Sequence, residues 1–248
     1  MGATSILSTR ALRWDVGGAT IVADVSLDVP AGECLGIIGP NGAGKTSLFN
    51  LLSGLIRPTG GSVELAGADI TNDPPYRRTQ AGLGRTFQVS SVFPLLSVRE
   101  NARLAAEAAR GGTMRIWRRA PRLAAVQGAL ERVGLAPRAA ALAGSLSHGD
   151  KRKLELAMLL AADKRVILLD EPMAGVSAED VDGLVELIRS VHREEGRTVL
   201  MVEHHMEVVT GLADRIAVMH HGALLACDTP AAVMANQTVQ QAYLGEPL

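Results

Sequence analysis

The chain has only two cysteines, Cys34 and Cys227, in apolar, strand-like surroundings. Two are too few for a disulfide framework, so a reduced, cytosolic setting is expected. Long apolar runs are also missing: no stretch approaches the roughly 18 uncharged apolar residues of a membrane-spanning helix. The opening MGATSILSTRALRW lacks a basic segment followed by an apolar one, so no secretory signal is read there. Nor is there an excess of charge. Lys and Arg total 25 against 26 Asp and Glu, a formal charge of −1, which gives no overall drive toward nucleic acid although a local patch stays open. Internal repeats and low-complexity segments are lacking as well. What is present is ordinary: 47% hydrophobic and 21% charged residues argue against disorder, collagen or a coiled coil. The length of 248 residues suits one large domain, or a core with a lobe attached.

The first forty residues predict strands. Thr20 to Val29 and Glu33 to Gly39 are apolar and β-branched, with a turn at Pro30-Ala31-Gly32. The second is apolar on both faces, as in a mainly parallel sheet. A helix is expected from Gly44 to about Leu55, ended by Arg57-Pro58-Thr59-Gly60-Gly61. From Ser97 to Ala162 the pattern is helical, which reads as a lobe over 97–162 inserted into an α/β core of 1–96 and 163–248. Between Glu107 and Glu131 no acidic residue occurs, while Arg110, Arg115, Arg118, Arg119 and Arg122 do. That run is either a solvated helix face or a docking surface. Alternation then resumes with a strand over Val166 to Asp170, a helix over Ala178 to Glu195, a strand over Arg197 to Glu203 and a helix over His204 to Leu212. A hairpin turning at His221-Gly222 and two short helices finish the chain.

The strongest motif is Gly39-Pro40-Asn41-Gly42-Ala43-Gly44-Lys45-Thr46, which fits G-x-x-x-x-G-K-[ST] between a buried strand and a helix. Glycines let backbone N–H groups wrap around phosphate oxygens, and the helix N-terminus adds a favourable field. Lys45 is placed to reach the β- and γ-phosphates, and the Thr46 hydroxyl to ligate Mg²⁺. The strand VILLDE supplies paired carboxylates at its end: Asp170 to hold the metal, Glu171 to polarise the attacking water. These two motifs imply a nucleotide triphosphatase without choosing its family.

The choice comes from the intervening residues. Leu146-Ser147-His148-Gly149-Asp150 opens a helix ahead of VILLDE, Gln88 lies in RTFQ, and His204 follows RTVLMVE. In this order the chain resembles the nucleotide-binding subunit of ABC transporters over essentially its whole length. GRTFQ, SLSHGDKRKLELAMLLA, DEPMAGV and NQTVQQAYLG bring it nearest the branched-chain amino acid and urea or amide importers.

The resemblance implies an α/β P-loop core of the ABC ATPase type, with an antiparallel β subdomain and the inserted α-helical lobe. It implies ATP and Mg²⁺ as cofactors, with Gly39 to Thr46 and Ser47 around the phosphates. Gln88 would touch Mg²⁺ or the water. Ser147, His148, Gly149 and Asp150 would face the γ-phosphate held by an opposite subunit. Glu171 would act as base and His204 would stabilise charge on the γ-phosphate. Implied partners are transmembrane permease subunits, a second identical or related ATPase, and indirectly a substrate-binding protein, at the cytoplasmic face of the cell membrane.

Three departures stand out. His148 and Asp150 replace Gly and Gln of the usual Leu-Ser-Gly-Gly-Gln, and Ser177 stands where Asp usually ends the next loop. The aromatic that usually stacks on adenine falls at Val16, with Trp14 as a substitute or as ordinary edge packing. Two rival readings are a soluble ABC ATPase of translation or repair and a regulatory module that holds ATP without hydrolysing it. The single P-loop argues against the first, Glu171 and His204 against the second.

Overall fold

A computed structural model describes residues 5–86, 91–109 and 119–244. Gln88 and the arginines at 110, 115 and 118 lie outside them. Two sheets organise the fold. Strands β1 (Ser5–Val16) and β2 (Ala19–Pro30) pair antiparallel, and β1 also pairs with β4 (Gly60–Leu65), which is edged by β5 (Ala68–Asp69). The second sheet has the order β10-β9-β3-β8-β7-β6, from β3 (Cys34–Ile38), β6 (Leu83–Arg85), β7 (Val166–Asp170), β8 (Thr198–Val202), β9 (Arg215–His220) and β10 (Ala223–Asp228). Its pairs are parallel except for the β9–β10 hairpin at the edge.

The inner strands β3, β7 and β8 are buried along their whole length, and their side chains alternate between two cores. Leu35, Ile37, Val166, Leu168, Leu200 and Val202 face the first sheet and helix α1 (Lys45–Ser53), which contributes Leu48, Phe49, Leu51 and Leu52. Cys34, Ile38, Ile167, Leu169, Val199 and Met201 face the other way, into a cluster shared with α3 (Val98–Ala108), α4 (Arg119–Arg132), α5 (His148–Ala161) and α6 (Ala178–Arg193). The helices α3, α4 and α5 also pack on one another. The short α2 (Pro75–Gln80) sits beside β6, while α7 (Met206–Leu212), α8 (Pro230–Ala235) and α9 (Gln237–Leu244) complete the C-terminal part. Among the described residues no helix is long and apolar enough to cross a membrane.

Several boundaries differ from the sequence reading, each for a local reason. Gly44 is left-handed at φ 93° and caps α1 rather than starting it, and the helix ends at another left-handed glycine, Gly54, before the Arg57-Pro58 signal. Gly60 and Gly61 open β4 rather than merely ending a helix, because β1 passes so close that a Cβ on Gly61 would lie 2.2 Å from the Ala11 carbonyl oxygen. Helix α7 begins at Met206 and not His204, since the Glu203 carboxylate accepts the backbone N–H groups of His204 and His205 and holds both outside the helix.

Candidate functional site

The P-loop leaves the end of β3 and runs into α1. Two glycines are demanded by what lies behind it. A Cβ on Gly39 (φ 150°) would fall 2.2 Å from the Met219 carbonyl oxygen, and one on Gly44 would fall 2.7 Å from that of Ile21. The loop is thus pressed against the backbone of β9 and β2, with Gly222 N–H donating to Ala43 O at 3.1 Å. Lys45 folds back over the loop and donates to Gly39 O at 2.7 Å and Pro40 O at 2.9 Å. Burial pulls its ammonium below the ordinary lysine range, opposed by the charges of Glu171 and Asp170.

A cavity opens above this loop, lined by Ile21, Asn41 to Ser47, Glu171 and His204. Glu171 follows β7 with a left-handed backbone at φ 47°, an uncommon conformation for a residue with a Cβ, and its N–H donates to Val202 O at 2.9 Å. That turn carries its carboxylate to the cavity, where Oε1 lies 3.1 Å from His204 Nε2. A carboxylate only accepts, so the imidazole presents its N–H there. Asp170, one residue earlier, points differently. It is buried at 2% exposure, and Arg85 Nη2 donates to its Oδ2 at 2.8 Å.

The donor set fits Mg²⁺. The Thr46 hydroxyl and the Asp170 carboxylate are hard oxygen ligands, and the Arg85 contact engages one carboxylate oxygen, leaving Oδ1 for a cation. Among the described residues no cluster of three or more His, Cys, Asp or Glu could hold a metal by itself. An ion would therefore complete its shell from phosphate and water, the usual habit of Mg²⁺.

The Ser147 to Asp150 segment lies elsewhere. Ser147 caps α5, its Oγ accepting the Asp150 N–H at 3.1 Å, and the Asp150 carboxylate pairs with Arg138. Across from it, Ser177 Oγ donates to Asp180 Oδ2 at 2.8 Å, and a Cβ on Gly149 would stand 3.0 Å from that same oxygen. Ser147, His148, Gly149 and Asp150 do not line the P-loop cavity of their own chain.

The family description "ABC transporter" matches residues 22–174, and "Branched-chain amino acid ATP-binding cassette transporter" matches residues 223–247. The chain belongs to the ABC transporter ATPase family. It is 36% identical over 250 residues to the high-affinity branched-chain amino acid transport ATP-binding protein LivG of Escherichia coli, covering 97% of this chain and 98% of that one. The ADP conformation of MJ1267, an ATP-binding cassette of an ABC transporter, superposes with a TM-score of 0.85 at 27% identity, covering 98% of this chain and 99% of that one. A dimeric, post-hydrolysis structure of the cassette MJ0796 with ADP and Pi gives 0.76 at 25% identity, covering 90% and 98%.

Within this ABC ATPase fold, the structure brings together Asn41 to Ser47, Glu171 and His204, while Asp170 does not line the cavity but is near enough for its charge to act on Lys45. Trp14 and Val16 are not among the cavity residues: Trp14 pairs with Val22 and packs against the core between sheet and α1, and Val16 is 50% exposed near the β1–β2 turn. The arginines 119 and 122 fall on α4.

Two contributors escaped the sequence reading. Ile21 lines the cavity from β2. Glu203, 2% exposed, accepts Met173 N–H at 2.8 Å through Oε1 and the N–H groups of His204 and His205 at 2.9 and 3.3 Å through Oε2. One carboxylate thereby ties the segment after Glu171 to the segment carrying His204. The available signal was a carboxylate closing the apolar run Val199–Val202 immediately before the histidine.

Proposed function

We propose that this chain hydrolyses ATP at the P-loop cavity as the nucleotide-binding subunit of an importer of branched-chain amino acids. The observation that carries the reading is the Glu171–His204 pair, 3.1 Å apart, on the wall of a cavity floored by Asn41 to Ser47. The loop's N–H groups and Lys45 would take the triphosphate. Arrival of phosphate gives Lys45 a charged acceptor in place of two carbonyls, a stronger hydrogen bond. Thr46 and Asp170 would hold Mg²⁺, which when bound neutralises phosphate charge and orients the nucleotide. Glu171 accepts a proton from the attacking water, and His204 donates to the γ-phosphate as charge builds there. Gln88, in the segment after β6, is assigned to the same Mg²⁺ and water.

The Ser147 to Asp150 segment is assigned to a γ-phosphate bound by a second ATPase subunit, identical or related. Its absence from the lining of the chain's own cavity supports this, as does the dimeric state of the MJ0796 cassette. The C-terminal match and the likeness to LivG support the cargo class, separate permease subunits, an associated substrate-binding protein, and placement at the cytoplasmic face of the membrane. Two parts are proposed, an α/β core over 1–96 and 163–248 and a helical lobe over 97–162. The test is reconstitution with permease subunits and a substrate-binding protein of the branched-chain amino acid class. ATP-dependent uptake of labelled leucine supports the reading, and uptake of urea in its place overturns the cargo assignment.

For the base, Ile21 is assigned the contact and Trp14 a packing role. Trp14→Ala is expected to cost about 1–2 kcal/mol of stability by equilibrium unfolding. Nucleotide affinity should stay within about twofold, whereas loss of one aromatic stack on adenine would weaken it roughly fivefold or more.

A further inference from the structure

Arg85 is a buried charge with an unusual set of neighbours. It stands on β6, its side chain 6% exposed against 3% for Asp170. Nη2 donates to Asp170 Oδ2 at 2.8 Å, while Nη1 donates to Asn50 Oδ1 at 2.7 Å and Ser53 Oγ at 2.9 Å. Its guanidinium carbon lies 5.6 Å from the centre of the Phe49 ring. Phe49, Asn50 and Ser53 belong to α1, the helix whose first turn carries Lys45 and Thr46. The next residue, Thr86, accepts the backbone N–H of Asp170 at 3.3 Å.

A buried ion pair is seldom worth more to stability than an apolar pair of the same volume, so stability alone gives little reason for this one. Geometry gives a better reason. The planar fork reaches α1 with one nitrogen and Asp170 with the other, and it therefore fixes the distance between the helix bearing Thr46 and the carboxylate on β7.

We propose that Arg85 is a positioning residue for the Mg²⁺ site, holding Asp170 by Oδ2 so that Oδ1 faces the cation at a set distance from Thr46. The proposal rests on the reading that Asp170 and Thr46 hold Mg²⁺. It requires the fork and not merely a positive charge. Lysine at 85 would keep the charge but cannot span Asn50, Ser53 and Asp170 together. A simple counter-ion role predicts that lysine suffices, and a role as competitor of the cation predicts that removing the charge tightens metal binding.

The experiment titrates Mn²⁺ into the chain with a non-hydrolysable ATP analogue and reads bound metal by electron paramagnetic resonance. Analogue affinity in EDTA serves as the metal-free reference. Arg85→Lys and Arg85→Gln should each weaken Mn²⁺ binding about tenfold, the usual scale for a support behind a metal ligand, with metal-free affinity within about twofold of wild type. The pair Asn50→Ala and Ser53→Ala leaves Arg85 and Asp170 together but releases the fork from α1. It should weaken Mn²⁺ several-fold, and it decides the matter where the Arg85 variants fail to fold. Wild-type Mn²⁺ binding by Arg85→Lys, tighter binding by Arg85→Gln, or no effect of the Asn50/Ser53 pair overturns the proposal. Asp170→Asn separates the two levels: equal Mn²⁺ binding by that variant and wild type overturns the metal reading itself, and the role of Arg85 with it.

Discussion

Hydrolysis by Glu171→Gln is expected to fall ~10²–10⁴-fold, about 3–5 kcal/mol of barrier, while ATP binding holds or tightens. The substitution keeps the shape and an oxygen acceptor but removes the basic oxygen and one negative charge. His204 Nε2, 3.1 Å from Glu171 Oε1 in the wild type, can still donate to the amide oxygen, so the wall of the cavity should keep its form. Binding should not suffer, because a carboxylate beside a triphosphate is repulsive. If hydrolysis reopens a two-subunit sandwich, the variant accumulates as an ATP-bound dimer, read by gel filtration with multi-angle light scattering. Where the working pair is heteromeric, the related ATPase must be present. Lys45→Ala is the contrast. It should lose nucleotide and stay monomeric, since the loop is left without its cation. Turnover by Glu171→Gln within a few-fold of wild type would remove Glu171 from its assigned role.

Glu203→Ala should lower stability by about 3 kcal/mol, roughly a hundredfold in the unfolding equilibrium, although Glu203 touches no substrate. The buried carboxylate accepts three backbone N–H groups, from Met173, His204 and His205, and lies 3.1 Å from His205 Nδ1. Alanine leaves those donors in a buried setting without an acceptor. Glutamine is no rescue, because its amide would turn a donor toward donors. Urea unfolding measures the loss. A second effect should accompany it: with Met173 and His204 no longer tied to one group, kcat falls more than nucleotide affinity. A variant as stable as wild type would mean that the loops find other acceptors.

The buried strands and the P-loop were legible because their signals are local. VILLD has no polar residue until Asp170, and its five described positions are all buried, as a strand covered on both faces must be. The Gly39 to Thr46 spacing is a backbone requirement, written in the residues that meet it. Helix ends were less legible. His204 and His205 look helical from their neighbours, and only a carboxylate that takes their N–H groups keeps them out of α7. Strand β4 was missed because two glycines read as punctuation, whereas their lack of side chains is what lets β1 approach.

The chain's sequence by itself determined the α/β class, the phosphate loop, the paired carboxylates at the end of β7 and the family, since each rests on residue type at fixed short spacing. The tertiary structure alone decided that Glu171 meets His204 across 33 residues of chain, while Asp170 turns to Arg85 across 85. It also decided that Ile21 rather than Trp14 lines the cavity, and that Ser147 to Asp150 stands apart from it. The physical reason is common to all of these. What each side chain meets depends on which distant segment packs beside it, information that no local spacing contains.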